Sequence, residues 1–158
     1  MQLCQALYGH AMNELGEVIP KNGIGKIQLG EFKSTLLSVL GNPVRESKKR
    51  HDRSSCDYVG FNLIFNADDI LESIEVYPET RITYKGLEIF DGSNAWKQLI
   101  SDDPNPFYLS GTIILLALGV SMWEDPEEEE QNKSFVLSAD VAWDKLKDKL
   151  KPYVKKGI

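Results

Sequence analysis

Apolar positions change their spacing several times along this chain, and each change predicts an element. Leu3, Leu7, Ala11 and Leu15 recur every four residues, which predicts an amphipathic N-terminal helix closed at Gly16 or Pro20. Lys21-Asn22-Gly23-Ile24-Gly25 reads as a loop. Phe32, Leu36, Val39 and Leu40 share one helical face, with Gly41 and Pro43 as the stop. From Val44 to Asp57 the periodicity disappears, and Arg45, Lys48, Lys49, Arg50 and Arg53 fill what reads as an exposed loop.

Period-two patterning then takes over. Phe61, Leu63 and Phe65 alternate with Asn62, Ile64 and Asn66, and Ile74 and Val76 alternate with Ser73, Glu75 and Tyr77 beyond a turn at Ala67-Asp68-Asp69. A smaller pair of strands, Ile82 to Tyr84 and Leu87 to Phe90, is broken at Lys85-Gly86. Trp96, Leu99 and Ile100 predict a helix capped by Asp91 or Ser93 and ended by Asp102-Asp103-Pro104. Gly119 divides the apolar run after Leu109 into strands near Thr112 to Leu116 and Val120 to Trp123. Ser134 to Ala139 supplies a last strand. Asp140 then caps a C-terminal helix striped by Trp143, Leu146, Leu150 and Val154, with Pro152 in its last turn.

Mixed helices and antiparallel strands without βαβ alternation predict an α+β fold: an antiparallel sheet with helices packed on one face, flanked by N- and C-terminal helices. A short helix followed by paired strands occurs from Phe32 to Tyr77 and again from Trp96 to Ala139, an internal echo without matching residues. The 158 residues are expected to form one domain, and a fold of that size buries roughly 70% of its unfolded surface.

Charge narrows the function. A net charge of −6 argues against general nucleic-acid binding. Two cysteines, Cys4 and Cys56, supply neither a structural zinc site nor a disulfide framework, and their pairing is not expected. The first sixteen residues lack the pattern of a signal peptide, and the run from Leu109 to Trp123 is too short and too broken by glycine to span a bilayer. A cytoplasmic location, away from any membrane, is the expectation.

Candidate chemistry is sparse. His10 and His51 have no neighbours suggesting acid-base work, and a Cys56–His51 thiolate pair is the weaker reading of a polar loop. Gly23-Ile24-Gly25-Lys26 lacks the spacing and the hydroxyl residue of a phosphate loop and reads as a turn. Asp68 with Asp69, and Asp102 with Asp103, read as turn formers before they read as catalytic pairs. No cofactor or metal is implied, and the chain is not expected to be an enzyme.

The densest feature is Glu124, Asp125, Glu127, Glu128, Glu129 and Glu130, six carboxylates in seven positions. A solvated loop is the plainer reading, and a contact for a basic partner is the functional one. Trp123, next to them, is the aromatic residue placed to anchor such an interface.

Ile24-Gly25-Lys26-Ile27-Gln28-Leu29-Gly30, a short helix and Leu40-Gly41-Asn42-Pro43 resemble the opening of a group of small bacterial domains. That group includes β-lactamase-inhibitor-protein-like folds and the small lipoprotein of outer-membrane assembly, the latter disfavoured here because no export signal precedes the motif. Gly60 to Asn66, Leu71 to Val76, Thr83 to Gly86 and Leu118 to Trp123 resemble bacterial proteins found beside polymorphic toxins. The resemblance implies an immunity protein of a contact-dependent or related system that binds a cognate toxin, expected to be basic, and occludes its surface. It assigns no functional residue. The alternative is a module binding a small molecule or lipid in a pocket lined by Ile113 to Leu118.

Overall fold

A computed structural model describes residues 13–123, 133–139 and 146–153. The strands are β1 (Asn13–Ile19), β2 (Gly23–Ile24), β3 (Ile27–Gln28), β4 (Arg45–Lys48), β5 (Ser54–Tyr58), β6 (Phe61–Phe65), β7 (Leu71–Val76), β8 (Thr80–Tyr84), β9 (Leu87–Glu88), β10 (Phe107–Leu109), β11 (Thr112–Leu115), β12 (Val120–Trp123), β13 (Phe135–Ser138) and β14 (Lys151–Pro152). Among the described residues there are two α-helices, α1 (Lys33–Leu40) and α2 (Asn94–Asp102). The α+β expectation holds in a strand-dominated form.

Nine strands form one antiparallel sheet in the order β14-β10-β11-β12-β13-β7-β6-β5-β4. Side chains alternate across a strand, so directly paired residues share a face. Cys56, Leu63, Ile74, Leu137, Val120 and Leu115 pair successively across six strands, and each is wholly buried. The next inward-facing row runs Tyr58, Phe61, Val76, Phe135, Met122, Ile113. These two rows are the floor of the core.

Both helices add to that core, α1 through Leu36 and Leu40, α2 through Ala95, Trp96, Leu99 and Ile100. The Tyr58 hydroxyl donates to the Gly41 carbonyl at 2.7 Å, which fixes the end of α1 against the sheet. A smaller sheet, β3-β2-β1-β8-β9, contributes Val18, Ile24, Ile27, Ile82 and Tyr84 to the same cluster.

The internal echo is geometrical. Ile24 pairs with Ile27, and sixty residues on Tyr84 pairs with Leu87; Leu29 N donates to Asn22 O as Ile89 N donates to Ile82 O. At the same offset, Leu36 and Leu40 of α1 correspond to Trp96 and Ile100 of α2. Each helix is followed by four strands, and the two sets meet where β7 pairs with β13. The hairpins β2-β3 and β8-β9 flank β1, which runs antiparallel to β2 and parallel to β8. The described strands β2 to β7 with α1, and β8 to β13 with α2, therefore repeat one unit about a seam, with β1 shared between them.

Four sequence expectations are corrected. Leu15 lies in β1, so the N-terminal helix does not extend to Gly16; residues 1–12 lie outside the described residues. The C-terminal stretch makes a short 3₁₀ turn at Lys147–Lys149 and then the strand β14, because Pro152 has no N–H to continue a helix and instead sits opposite Phe107 at the sheet edge. Residues 140–145 and Val154 of that expected helix lie outside the described residues. Arg45 to Asp57 is an edge hairpin rather than a loop; its core-facing row sets charged Glu46 and Lys48 of β4 opposite the small residues Cys56 and Ser54 of β5, a pattern that does not announce a strand.

Lys21 to Gly25 is likewise the start of a tight hairpin. A Cβ on Gly25, at φ +57°, would meet the Leu15 carbonyl oxygen at 1.9 Å, so β1 crosses this turn only because the position is glycine.

Candidate interaction surface

The two copies differ in their connections. Strands β6 and β7 are joined by five residues, Asn66 to Ile70, whereas eleven separate their counterparts β12 and β13. That longer connection contains the acidic stretch. Glu124, Asp125, Glu127, Glu128, Glu129 and Glu130 lie outside the described residues, and the structure fixes only where the stretch leaves and rejoins the sheet, at Trp123 and Lys133.

Trp123 is 7% exposed. Its ring stacks on Phe90 with centroids 5.5 Å apart and planes 15° from parallel, and its carbonyl accepts a hydrogen bond from Trp96 Nε1 at 3.1 Å. Lys133 Nζ stands 5.7 Å from the ring centroid, close enough for a cation–π contact. Trp123 Nε1 is itself buried without a hydrogen-bond partner among the described residues. The indole thus belongs to the core, where it holds the root of the acidic stretch in place. Its burial was not readable from a position beside a charge run.

The face of the large sheet away from α1 and α2 carries mainly polar residues, with Ile64, Ile114 and Val136 interspersed. Arg45, Asp57, Asn62, Glu75, Val136, Ser121 and Ile114 pair successively along one row, and Ser47, Ser55, Ile64, Ser73 and Ser138 along the next. Arg45 grips Asp57 at 2.9 Å, Ser55 Oγ donates to Asp57 Oδ1 at 3.0 Å, and Asn62 Nδ2 donates to the Tyr77 hydroxyl at 3.0 Å. Burial, and then the neighbouring Glu75 carboxylate, push the Tyr77 phenol up to about 12. The row holding Asp57 and Glu75 lies towards the end of the sheet from which the acidic stretch departs.

Among the described residues the catalytic candidates do not converge. Asp68 and Asp69 occupy the β6-β7 turn, where Asn66 Oδ1 accepts from Asp68 N at 2.9 Å and from Ile70 N at 3.0 Å. Asp102 accepts from Lys85 at 2.8 Å, from the Tyr84 hydroxyl at 2.6 Å and from Gln98 at 2.9 Å, and these donors, Lys85 first, hold its carboxyl below the usual range. Asp103 faces elsewhere, accepting from Asn105 N and Ala117 N to pin two loops together. Cys56 is a free, fully buried thiol whose ionisation burial disfavours, so it does not make a thiolate with the exposed His51.

Ile113 and Leu115 are consumed by the core, and Leu118 packs against it. A cavity of about 230 Å³ lies instead beside β8 and β9, where Arg81, Glu88, Phe90 and Asp91 are among its walls. No group of three or more metal-ligating side chains occurs among the described residues, and no helix there is long and apolar enough to cross a membrane. Comparison with protein-family models, curated proteins and solved structures returns no match.

Proposed function

We propose that this chain is an immunity-type binding protein, cytoplasmic, which neutralises a cognate bacterial toxin by occluding a basic surface on it. The supporting observation is the asymmetry of the two copies: one carries a long acidic connection rooted on a buried, stacked Trp123, where the other has a five-residue turn. A rigid root limits the entropy lost when such a segment meets its partner, and clustered carboxylates accelerate encounter with a basic surface. The polar row containing Asp57, Asn62 and Glu75 extends the contact area from the same end of the sheet. Trp123 acts here by positioning the segment.

The test uses the toxin encoded beside this gene. Protection of susceptible cells and the association rate with purified toxin are measured for the parent chain and for Glu127, Glu128, Glu129 and Glu130 changed to Lys. Loss of protection with a slower, less salt-sensitive association supports the proposal. Unchanged protection and association reject the acidic stretch as the contact, and a neighbouring product without toxicity rejects the immunity reading.

A further inference from the structure

The second difference between the copies lies at the opposite end of the large sheet. Strands β10 and β11 are joined by two residues, Ser110 and Gly111, the minimum for a tight hairpin. Their counterparts β4 and β5 are joined by five, Lys49 to Arg53. The longer loop places two consecutive non-glycine residues, His51 and Asp52, at φ 62° and 60°, a conformation that side chains adopt only at a cost. It surrounds an open cleft of about 560 Å³ walled by Lys48, Lys49, Arg50, His51 and Arg53.

Most of this charge is unanswered. Arg53 pairs with Glu72 at 2.7 Å, an ion pair by distance that leaves Glu72 Oε2 without an aligned hydrogen bond. Lys48, Lys49 and Arg50 are exposed and make no ion pair among the described residues, whereas Lys33, Arg45, Arg81 and Lys85 each have a carboxylate. Asp52, at the apex of the loop, is not among the cleft walls. The acidic stretch is rooted at the far end of the sheet, four strands away. Strand rise and spacing put that root, Trp123, more than about 20 Å from the loop.

We propose that the β4-β5 loop is a binding site for a compact phosphate-bearing anion of several charges, such as a polyphosphate or the phosphate chain of a nucleotide. Converging lysine and arginine donors in an open cleft provide charge-assisted hydrogen bonds to several phosphate oxygens at once. Compactness follows from the rest of the molecule. A chain with a net charge of −6 repels a long polyanion beyond the cleft, and no Phe, Tyr or Trp is among the walls, His51 being the one ring there.

The site is independent of the toxin-binding proposal, since it uses a different loop. Titration calorimetry with inorganic tripolyphosphate, with ATP and with single-stranded DNA tests it in the full-length protein. Tripolyphosphate and ATP are expected to bind with similar affinity, weakened about tenfold or more by Lys49→Gln with Arg50→Gln. Lys97→Gln, an exposed cation on α2 without an ion pair among the described residues, is expected to change nothing. Both variants keep the parent's unfolding temperature, because the altered side chains are exposed. Absence of tripolyphosphate binding, equal weakening by Lys97→Gln, or tighter binding of DNA than of tripolyphosphate overturns the assignment.

Discussion

Ser73 and Ser138 face each other across the seam between β7 and β13, their hydroxyl oxygens 3.0 Å apart and both side chains buried. The bond ties the two copies together through side chains at their junction. Removing either partner strands the other. Ser73→Ala and Ser138→Ala are each expected to cost about 1–2 kcal/mol, and the double variant less than their sum. Urea unfolding of the four proteins measures the coupling, and strict additivity would show that the two hydroxyls do not depend on each other.

Ser54 Oγ is buried with no hydrogen-bond partner among the described residues. An unsatisfied hydroxyl carries a desolvation penalty of about 1–3 kcal/mol. Ser54→Ala is therefore expected to stabilise the protein, raising the urea midpoint with an unchanged m-value. A fall in the midpoint would reveal a partner for the hydroxyl.

Thr80 is wholly buried, and its hydroxyl donates to the Gly60 carbonyl at 2.8 Å. The same carbonyl also accepts from Tyr77 N at 3.0 Å, so the acceptor keeps one bond when the hydroxyl is lost. Thr80→Val preserves shape and is expected to cost about 1 kcal/mol, the net worth of one hydrogen bond. Denaturant unfolding of that variant beside Thr80→Ser separates the bond from the packing.

Asp102 acts on the acid limb of the stability profile, and Tyr77, together with Tyr84, whose phenol is raised by burial and by its bond to Asp102, acts on the alkaline one. Asp102 is held ionised in the folded state by Lys85, Tyr84 and Gln98, so the folded protein binds its proton less readily than the unfolded chain. Its contribution is present at neutral pH and is lost as pH falls below about 4, the ordinary carboxylate range; Asp102→Asn should flatten that acid limb. Tyr77 behaves in reverse: its phenol is raised from 10.0 to about 12, so its contribution is complete below pH 10 and is lost as pH rises towards 12. Tyr77→Phe should flatten the alkaline limb in part, the contribution of Tyr84 remaining. Chemical unfolding from about pH 2 to about pH 12 reads both.

The hairpins β6-β7 and β8-β9 were legible because large apolar side chains marked their inward positions at the right period; helix α1 was legible from its period, although of its apolar stripe only Leu36 and Leu40 are buried and Phe32 and Val39 are exposed. Strands β11 and β12 were legible because Gly119, at φ +72°, marks the bend between them. Leu15 misled because it continues the four-residue spacing of Leu3, Leu7 and Ala11, which matches a helix, whereas pairing of β1 with both β2 and β8 decides its conformation. The β4-β5 hairpin was hidden because both of its faces carry charge, Arg45 and Asp57 on one and Glu46 and Lys48, beside serine and cysteine, on the other. The duplication escaped residue comparison, since equivalent positions hold Ile24 and Tyr84, or Leu36 and Trp96. Once the strands are superposed in order, the two unequal connections stand out, and they carry the acidic and basic candidate surfaces.

The meeting of β7 with β13 bears on how the chain reaches its native state. Neither half closes its own sheet, because one flank of its last strand, β7 or β13, finds its hydrogen-bonding neighbour only in the other copy. A fragment ending after Val76 would present a bare strand flank to solvent and seek a substitute, most readily another fragment like itself. Completion of the second copy during synthesis therefore removes a sticky border that the first necessarily exposes.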